Sequence, residues 1–222
     1  CQPRQHTTAQ KIQNCRGSLT APDLFAILRD HTQGGGEDVP PSKGIHGMSV
    51  CAHVGFGPFR NSQSVGSLVV SLEKGQSPSL FYTGTSAPCT SLFKLAWVDV
   101  DLPDFGPLPS GKYDDHCLWW RHERLHRAVM QDYENRAPLI INLRDEFEGH
   151  WMEKAKTANG QSADERQGLA VECAVEAEKV EEAMLEAVLD TPVKNPTRGL
   201  YRRAWNGFDR AAEMPMPELP IR

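Results

Sequence analysis

His122-Glu123-Arg124-Leu125-His126 has the H-E-x-x-H form. On a helix its two imidazoles, four residues apart, share one face, and in zinc peptidases such a pair binds the metal while the glutamate activates water. The neighbours oppose that chemistry: Arg121, Arg124 and Arg127 set three guanidinium groups around a divalent cation, like charge at close range. His122 also falls on an apolar stripe, where a packed core histidine accounts for the same letters. No metal and no other cofactor is expected, and a zinc metallopeptidase through His122, Glu123 and His126 stands as the alternative. A second group, Ser49, Cys51 and His53, occupies alternate positions of one predicted strand and faces one side of it. It lines a cleft or is a set of satisfied polar groups, since buried cysteine is common as a small hydrophobe. The third is the stretch from Tyr82 to Lys94, where Thr83, Thr85, Ser86, Thr90 and Ser91 crowd around Gly84 and Pro88 beside Cys89 and Lys94. Such a turn can present N–H and hydroxyl donors to a carboxylate or an oxyanion. A turn held by its own Ser and Thr side chains has the same composition.

The elements that must position these groups follow from periodicity. Residues 18–31 read as a helix, with Thr20 and Asp23 as a capping box, Pro22 in the first turn, an apolar face of Leu24, Phe25, Ile27 and Leu28, and a polar end at Arg29-Asp30-His31. Residues 32–43, with Gly34-Gly35-Gly36 and Pro40-Pro41, read as a loop. Alternation predicts strands over 48–54, 65–72, 79–84 and 93–98, with Lys74-Gly75-Gln76 as a turn, and hence an antiparallel sheet. After the Pro-rich stretch 102–109 the period becomes helical. Leu118, His122, Leu125 and Val129 form one stripe, Pro138 marks a break, and Ile140, Leu143, Phe147 and Trp151 continue a second helix. Ser162 and Glu165 cap a long third helix to about Asp190, and residues 197–212 form a last one. The Pro-rich end from Met214 reads as an extended tail. Three regions result: 1–112 with a helix and four strands, 113–212 helical and packed on it, and 213–222 as the tail.

Composition narrows the function classes. The chain has 222 residues with 24 Lys and Arg against 29 Asp and Glu, a net charge of −5. A net negative chain with scattered cations lacks the footprint of a nucleic-acid binder. No apolar stretch approaches the roughly 20 residues needed to cross a bilayer. Six irregularly spaced cysteines in a chain of this length read as reduced thiols, so a cytoplasmic location is expected. The acidic helix from Ser162 to Asp190 is a solvated face or a partner surface, and the sequence leaves self-association into a homo-oligomer open.

Four segments in this order, Leu24 to His31 (L-F-A-I-L-R-D-H), Ser49 to His53 (S-V-C-A-H), Tyr82 to Lys94 (Y-T-G-T-S-A-P-C-T-S-L-F-K) and Leu118 to His126 (L-W-W-R-H-E-R-L-H), resemble the secernins. These are grouped with a family of cysteine dipeptidases among the N-terminal nucleophile hydrolases. The resemblance runs from about Thr20 to Trp151 and concerns the C-terminal half of that family's chain. It implies an α+β chain that is part of an α/β/β/α sandwich of antiparallel strands, followed by a helical C-terminal segment. It also implies hydrolysis of a short peptide or amide substrate by an N-terminal cysteine: the thiolate attacks the carbonyl, the α-amine of the same residue moves the proton, and nearby donors hold the oxyanion. Substrate-facing residues are then expected at Thr83, Gly84, Cys89, Ser91 and Lys94, with Cys51 and His53 near them and Lys94 attracting a substrate carboxylate. A non-catalytic interaction module of the secernin type is the remaining alternative.

Cys1 invites assignment as the nucleophile. Against it, Cys1-Gln2-Pro3-Arg4-Gln5-His6 is polar and broken by Pro, unlike the start of an edge strand, and Ala9 to Asn14 looks helical. By the resemblance, the Thr20 helix lies well downstream of the family's active cysteine. The expectation is therefore a nucleophile upstream of this chain, a fragment boundary at Cys1, and no activity from these residues alone.

Overall fold

Thr20 accepts a hydrogen bond from the Asp23 amide while the Asp23 carboxylate takes one from the Thr20 amide at 2.8 Å. This reciprocal cap satisfies two donors that a helix start leaves unpaired. The same device, Ser162 with Glu165, opens the longest helix. In the computed structural model, residues 2–15, 17–33, 37–43, 49–55, 62–158 and 160–216 are described. Along them run α1 (Gln2–Asn14), α2 (Ala21–Leu28), β1 (Thr32–Gln33), β2 (Glu37–Asp38), β3 (Leu68–Ser71), β4 (Ser79–Tyr82), β5 (Lys94–Trp97), α3 (Leu118–Met130), α4 (Tyr133–Thr157), α5 (Ala163–Asp190) and α6 (Gly199–Ala212). The chain is mixed α+β. Among the described residues no helix is long and apolar enough to cross a membrane.

Strands β3, β4 and β5 form an antiparallel meander whose register aligns Val69, Phe81 and Leu95. Opposed residues share a face, and this row packs with Phe25 and Phe93 into the main core, shared with Trp151, Met184 and Val188 of the helices. Each such side chain contributes roughly 1.5–3 kcal/mol on burial. Helix α5 covers the free edge of β5: the Leu95 amide points away from β4 and donates to Cys173 Sγ at 3.2 Å, so the edge is closed to further pairing. Burial pushes the Cys173 thiol up to about 12, so it is an inert acceptor. The opposite face of β3 carries Leu68 and Val70, 57% and 40% exposed.

Several boundaries differ from those the sequence implies. Helix α1 begins at Gln2, with Pro3 in the first turn, where a missing N–H costs nothing. The loop over 32–43 contains the two-residue hairpin β1–β2. Of the four expected strands three are present. Residues 49–55 of the other are irregular, because their hydrogen bonds leave the ladder: the Cys51 amide donates to Asp30 O, Ala52 to Ser64 Oγ and Val54 to Gln63 Oε1. Met48, at its start, lies outside the described residues, as do the Gly34-Gly35-Gly36 run and the end of the tail from Pro217. Pro138 lies inside α4 without ending it. The corner falls a turn earlier, at Asp132, whose carboxylate accepts from the amides of Lys194 and Asn195 at 2.7 and 2.9 Å and from Asn135 Nδ2 at 2.8 Å. Tertiary bonds to the α5–α6 linker, not the proline, decide where α3 stops.

Candidate functional site

The site is assembled by a cation at the end of α2. Arg29 donates from Nε to Pro88 O at 2.9 Å and from Nη2 to Ser91 O at 3.1 Å, and it forms a bidentate pair with Glu148 of α4. Glu148 Oε1 also accepts the Phe93 amide, and the guanidinium lies over the Phe93 ring. One fork thus ties α2 and α4 to both ends of the 88–91 turn, the planar recognition that arginine performs and lysine does not. Next along the chain, Asp30 O takes the Cys51 amide at 2.9 Å, so the segment carrying Cys51 and His53 is pinned beside the turn carrying Cys89.

There four buried side chains meet. His53 Nε2 lies 3.2 Å from His31 Nε2, 3.3 Å from Cys51 Sγ and 3.3 Å from Cys89 Sγ. One nitrogen or sulfur atom from each of His31, Cys51, His53 and Cys89 falls within 4.8 Å of all the others. Both cysteines are free thiols. Burial lowers the His53 imidazole to about 4 and raises the Cys51 thiol. Burial would raise Cys89 as well, but hydrogen bonds from Cys51 and the two imidazoles, with the charge of His53, hold it well below the usual thiol value. The second nitrogens of the imidazoles face outward: His53 Nδ1 lies 3.3 Å from His126 Nε2, and His31 Nδ1 lies 3.3 Å from the Tyr133 hydroxyl. A cavity of about 410 Å³ opens beside His31, Cys89 and Tyr133, with Lys11, Arg29 and Arg144 on its wall.

The rest of the polar turn faces inward. Thr83, Thr85, Ser86, Thr90 and Ser91 are fully enclosed. Thr85 Oγ1 donates to Ser91 Oγ, and Ser91 Oγ to Ala87 O. Gly84 has φ +63, the left-handed region that glycine enters without strain. Ala87, at φ +25 before Pro88, holds a conformation rare for a side-chain-bearing residue, the kind of local strain that surrounding bonds must impose. Lys94 turns its ammonium inward onto Thr83 O at 2.6 Å. Burial lowers its pKa against the opposing charge of Glu181.

The H-E-x-x-H residues are committed separately. His122 places Nδ1 3.0 Å from Glu181 Oε1 and Nε2 2.8 Å from Ser86 O, so both ring nitrogens are already engaged by protein partners. Glu123 accepts from Ser86 Oγ, and from Arg127 Nε at 2.9 Å. His126 Nδ1 stands 3.5 Å from Glu123 Oε1, an ion-pair separation longer than a good hydrogen bond.

Of the residues singled out in the sequence, Cys51, His53 and Cys89 are therefore brought together. Ser49 is diverted to Cys51 O at 2.8 Å. Thr83, Gly84, Ser91 and Lys94 form the packed support behind Cys89, so Lys94 does not reach the cavity, whose cations are Lys11, Arg29 and Arg144 instead. Cys1 lies outside the described residues. His31 and Tyr133 are the members that sequence reasoning missed. His31 was visible only as the polar end of a helix, and Tyr133 follows a corner that Pro138 misplaced. Set against known proteins, the chain matches no family model, no curated protein and no solved structure.

Proposed function

We propose that these residues are the C-terminal portion of a secernin-like cysteine amidohydrolase that cleaves short peptide or amide bonds, with the attacking cysteine supplied upstream. One observation carries this: the four segments on which the resemblance rests converge. Arg29 and His31 from the first, Cys51 and His53 from the second, Cys89 and Ser91 from the third, and His122, Glu123 and His126 from the fourth occupy one contiguous polar cluster. A buried cluster of titratable side chains drawn from distant segments and lying beside a cavity is a functional-site candidate. The exposed apolar face of β3, with Leu68 and Val70, supports the sandwich, since one sheet of a sandwich offers such a face to the other.

In this proposal the cavity beside Cys89 takes the carboxylate end of the substrate. Arg144, which also donates to Cys89 O at 3.0 Å, supplies the charge that Lys94 does not bring there, while Lys11 is paired with Asp30 on the same wall. Carbonyl attack, proton transfer and release belong to the upstream cysteine and its amine, and Arg144 holds the substrate's far end in register.

The experiment is an assay of the parent chain, extended upstream through its processed cysteine, on a set of dipeptides. Hydrolysis that iodoacetamide abolishes is expected, with Arg144→Ala raising KM more than it lowers kcat. Absence of turnover above background ends the proposal, and turnover insensitive to iodoacetamide transfers it to a metallopeptidase.

A further inference from the structure

We propose that His31, Cys51, His53 and Cys89 form a tetrahedral binding site for a zinc-like divalent cation. This goes beyond the hydrolase assignment and does not depend on it, because metal content is read on the chain whether or not it turns over a substrate.

The donor set comes first. Two sulfurs and two imidazole nitrogens form the set that selects zinc over the harder magnesium and calcium, and four protein ligands leave no open position, as in structural sites. Bonds of about 2.0–2.1 Å to nitrogen and 2.3 Å to sulfur place tetrahedral ligand atoms roughly 3.3–3.8 Å apart. The contacts to His53 Nε2, 3.2–3.3 Å, lie at the short edge of that range, and the four atoms stay within 4.8 Å of one another. Two thiolates balance a dication, so the filled site buries no net charge.

The surrounding bonds point the same way. Both imidazoles turn Nε2 toward the cluster and leave Nδ1 to an outer partner, His126 for His53 and Tyr133 for His31. A metal-bound histidine requires this arrangement, in which the second ring nitrogen is engaged and fixes tautomer and ring plane. From His53 the line continues through His126 to Glu123 at 3.5 Å. The H-E-x-x-H segment thus serves the cation from outside the ligand shell, with His126 as a positioning residue and His122 uninvolved.

The ligands come from the end of α2, the 49–55 segment and the 83–94 turn, and 49–55 has no sheet ladder of its own. A cation there cross-links three segments that otherwise meet through a few hydrogen bonds, so its binding energy becomes stability. The cavity at His31 and Cys89 supplies an entry path.

The test uses the purified, reduced 222-residue chain, stripped of metal and titrated with cobalt(II). One equivalent should bind, with thiolate-to-cobalt charge transfer and the visible bands of a tetrahedral ion, and zinc should displace it. In the unmutated chain, zinc should shield Cys51 and Cys89 from iodoacetamide while Cys15 stays reactive, a readout that survives any failure of variants to fold. Cys51→Ser and Cys89→Ser should each weaken cobalt binding and lower the charge-transfer band, the double variant should lose it, and Cys15→Ser should leave it intact. A folded chain with no cobalt–thiolate band overturns the site. So does a Cys51–Cys89 disulfide in the freshly isolated protein, or a band undiminished in folded Cys51→Ser and Cys89→Ser.

Discussion

Two regions of this molecule collect histidines, and they do so by opposite routes. On α3, His122 and His126 are neighbours in sequence and on the helix surface, yet the fold gives them to different partners: Glu181 and Ser86 O for one, His53 and Glu123 for the other. At the end of α2, His31 has no such neighbour in sequence, yet its imidazole meets His53, Cys51 and Cys89 at one point. Helical spacing makes two side chains parallel; convergence on a single atom requires several segments to arrive from different directions. For this chain the visible motif supports the site and the dispersed residues form it.

The largest test of that contrast lies in the bonds that make the segments arrive. Glu148→Ala leaves Arg29 enclosed without its carboxylate and should cost about 3–5 kcal/mol, read as a lower urea midpoint with unchanged slope. An equal or larger loss from His122→Ala would place the organising bond on α3 instead.

Acid titration addresses the α3 side. Burial would raise the carboxyls of Glu123 and Glu181, but His126, Arg127 and Ser86 for the first, and His122 and Lys94 for the second, hold both below the ordinary 4.5. A depressed carboxyl contributes stability that is full above its unfolded value and is lost as pH falls below it. Thermal midpoints should hold above about pH 4.5 and fall below it, and Glu181→Gln should flatten that fall.

Metal affinity then separates the two histidines of the motif. His126→Ala should weaken cobalt binding by about 10–100-fold, the usual penalty for losing an outer partner of a ligand, whereas folded His122→Ala should bind as the parent does. Equal weakening by both would erase the distinction.

The smallest effect concerns a purely local requirement. Gly84→Ala makes only an ordinary contact, its added carbon 3.9 Å from Tyr82, but must hold φ +63. The cost should be about 1–2 kcal/mol in calorimetry, with metal stoichiometry unchanged.

Features set by near neighbours, such as caps, helical period and strand alternation, were largely readable from the sequence. The Thr20–Asp23 and Ser162–Glu165 caps stand where the sequence puts them, α5 ends at Asp190, and three of the expected strands pair. The misplaced features depend on distant bonds. Residues 49–55 alternate like a strand, but Asp30, Gln63 and Ser64 take their hydrogen bonds. Pro138 looks like a terminator, but Asp132, held by Lys194 and Asn195, makes the corner. Lys94 looks like a substrate cation until Thr83 O receives it.

Sequence alone therefore determined that helices, a hairpin-linked antiparallel sheet and these residue types are present, because caps, period and alternation act between near neighbours. Tertiary structure decided which of those types share a site. His31 joins Cys51, His53 and Cys89 because Arg29 reaches across to Pro88, Ser91 and Glu148 and Asp30 O holds the Cys51 amide. Contacts separated by 59, 62 and 119 positions leave no periodic trace, since their partners are chosen by where the chain returns and not by what precedes them.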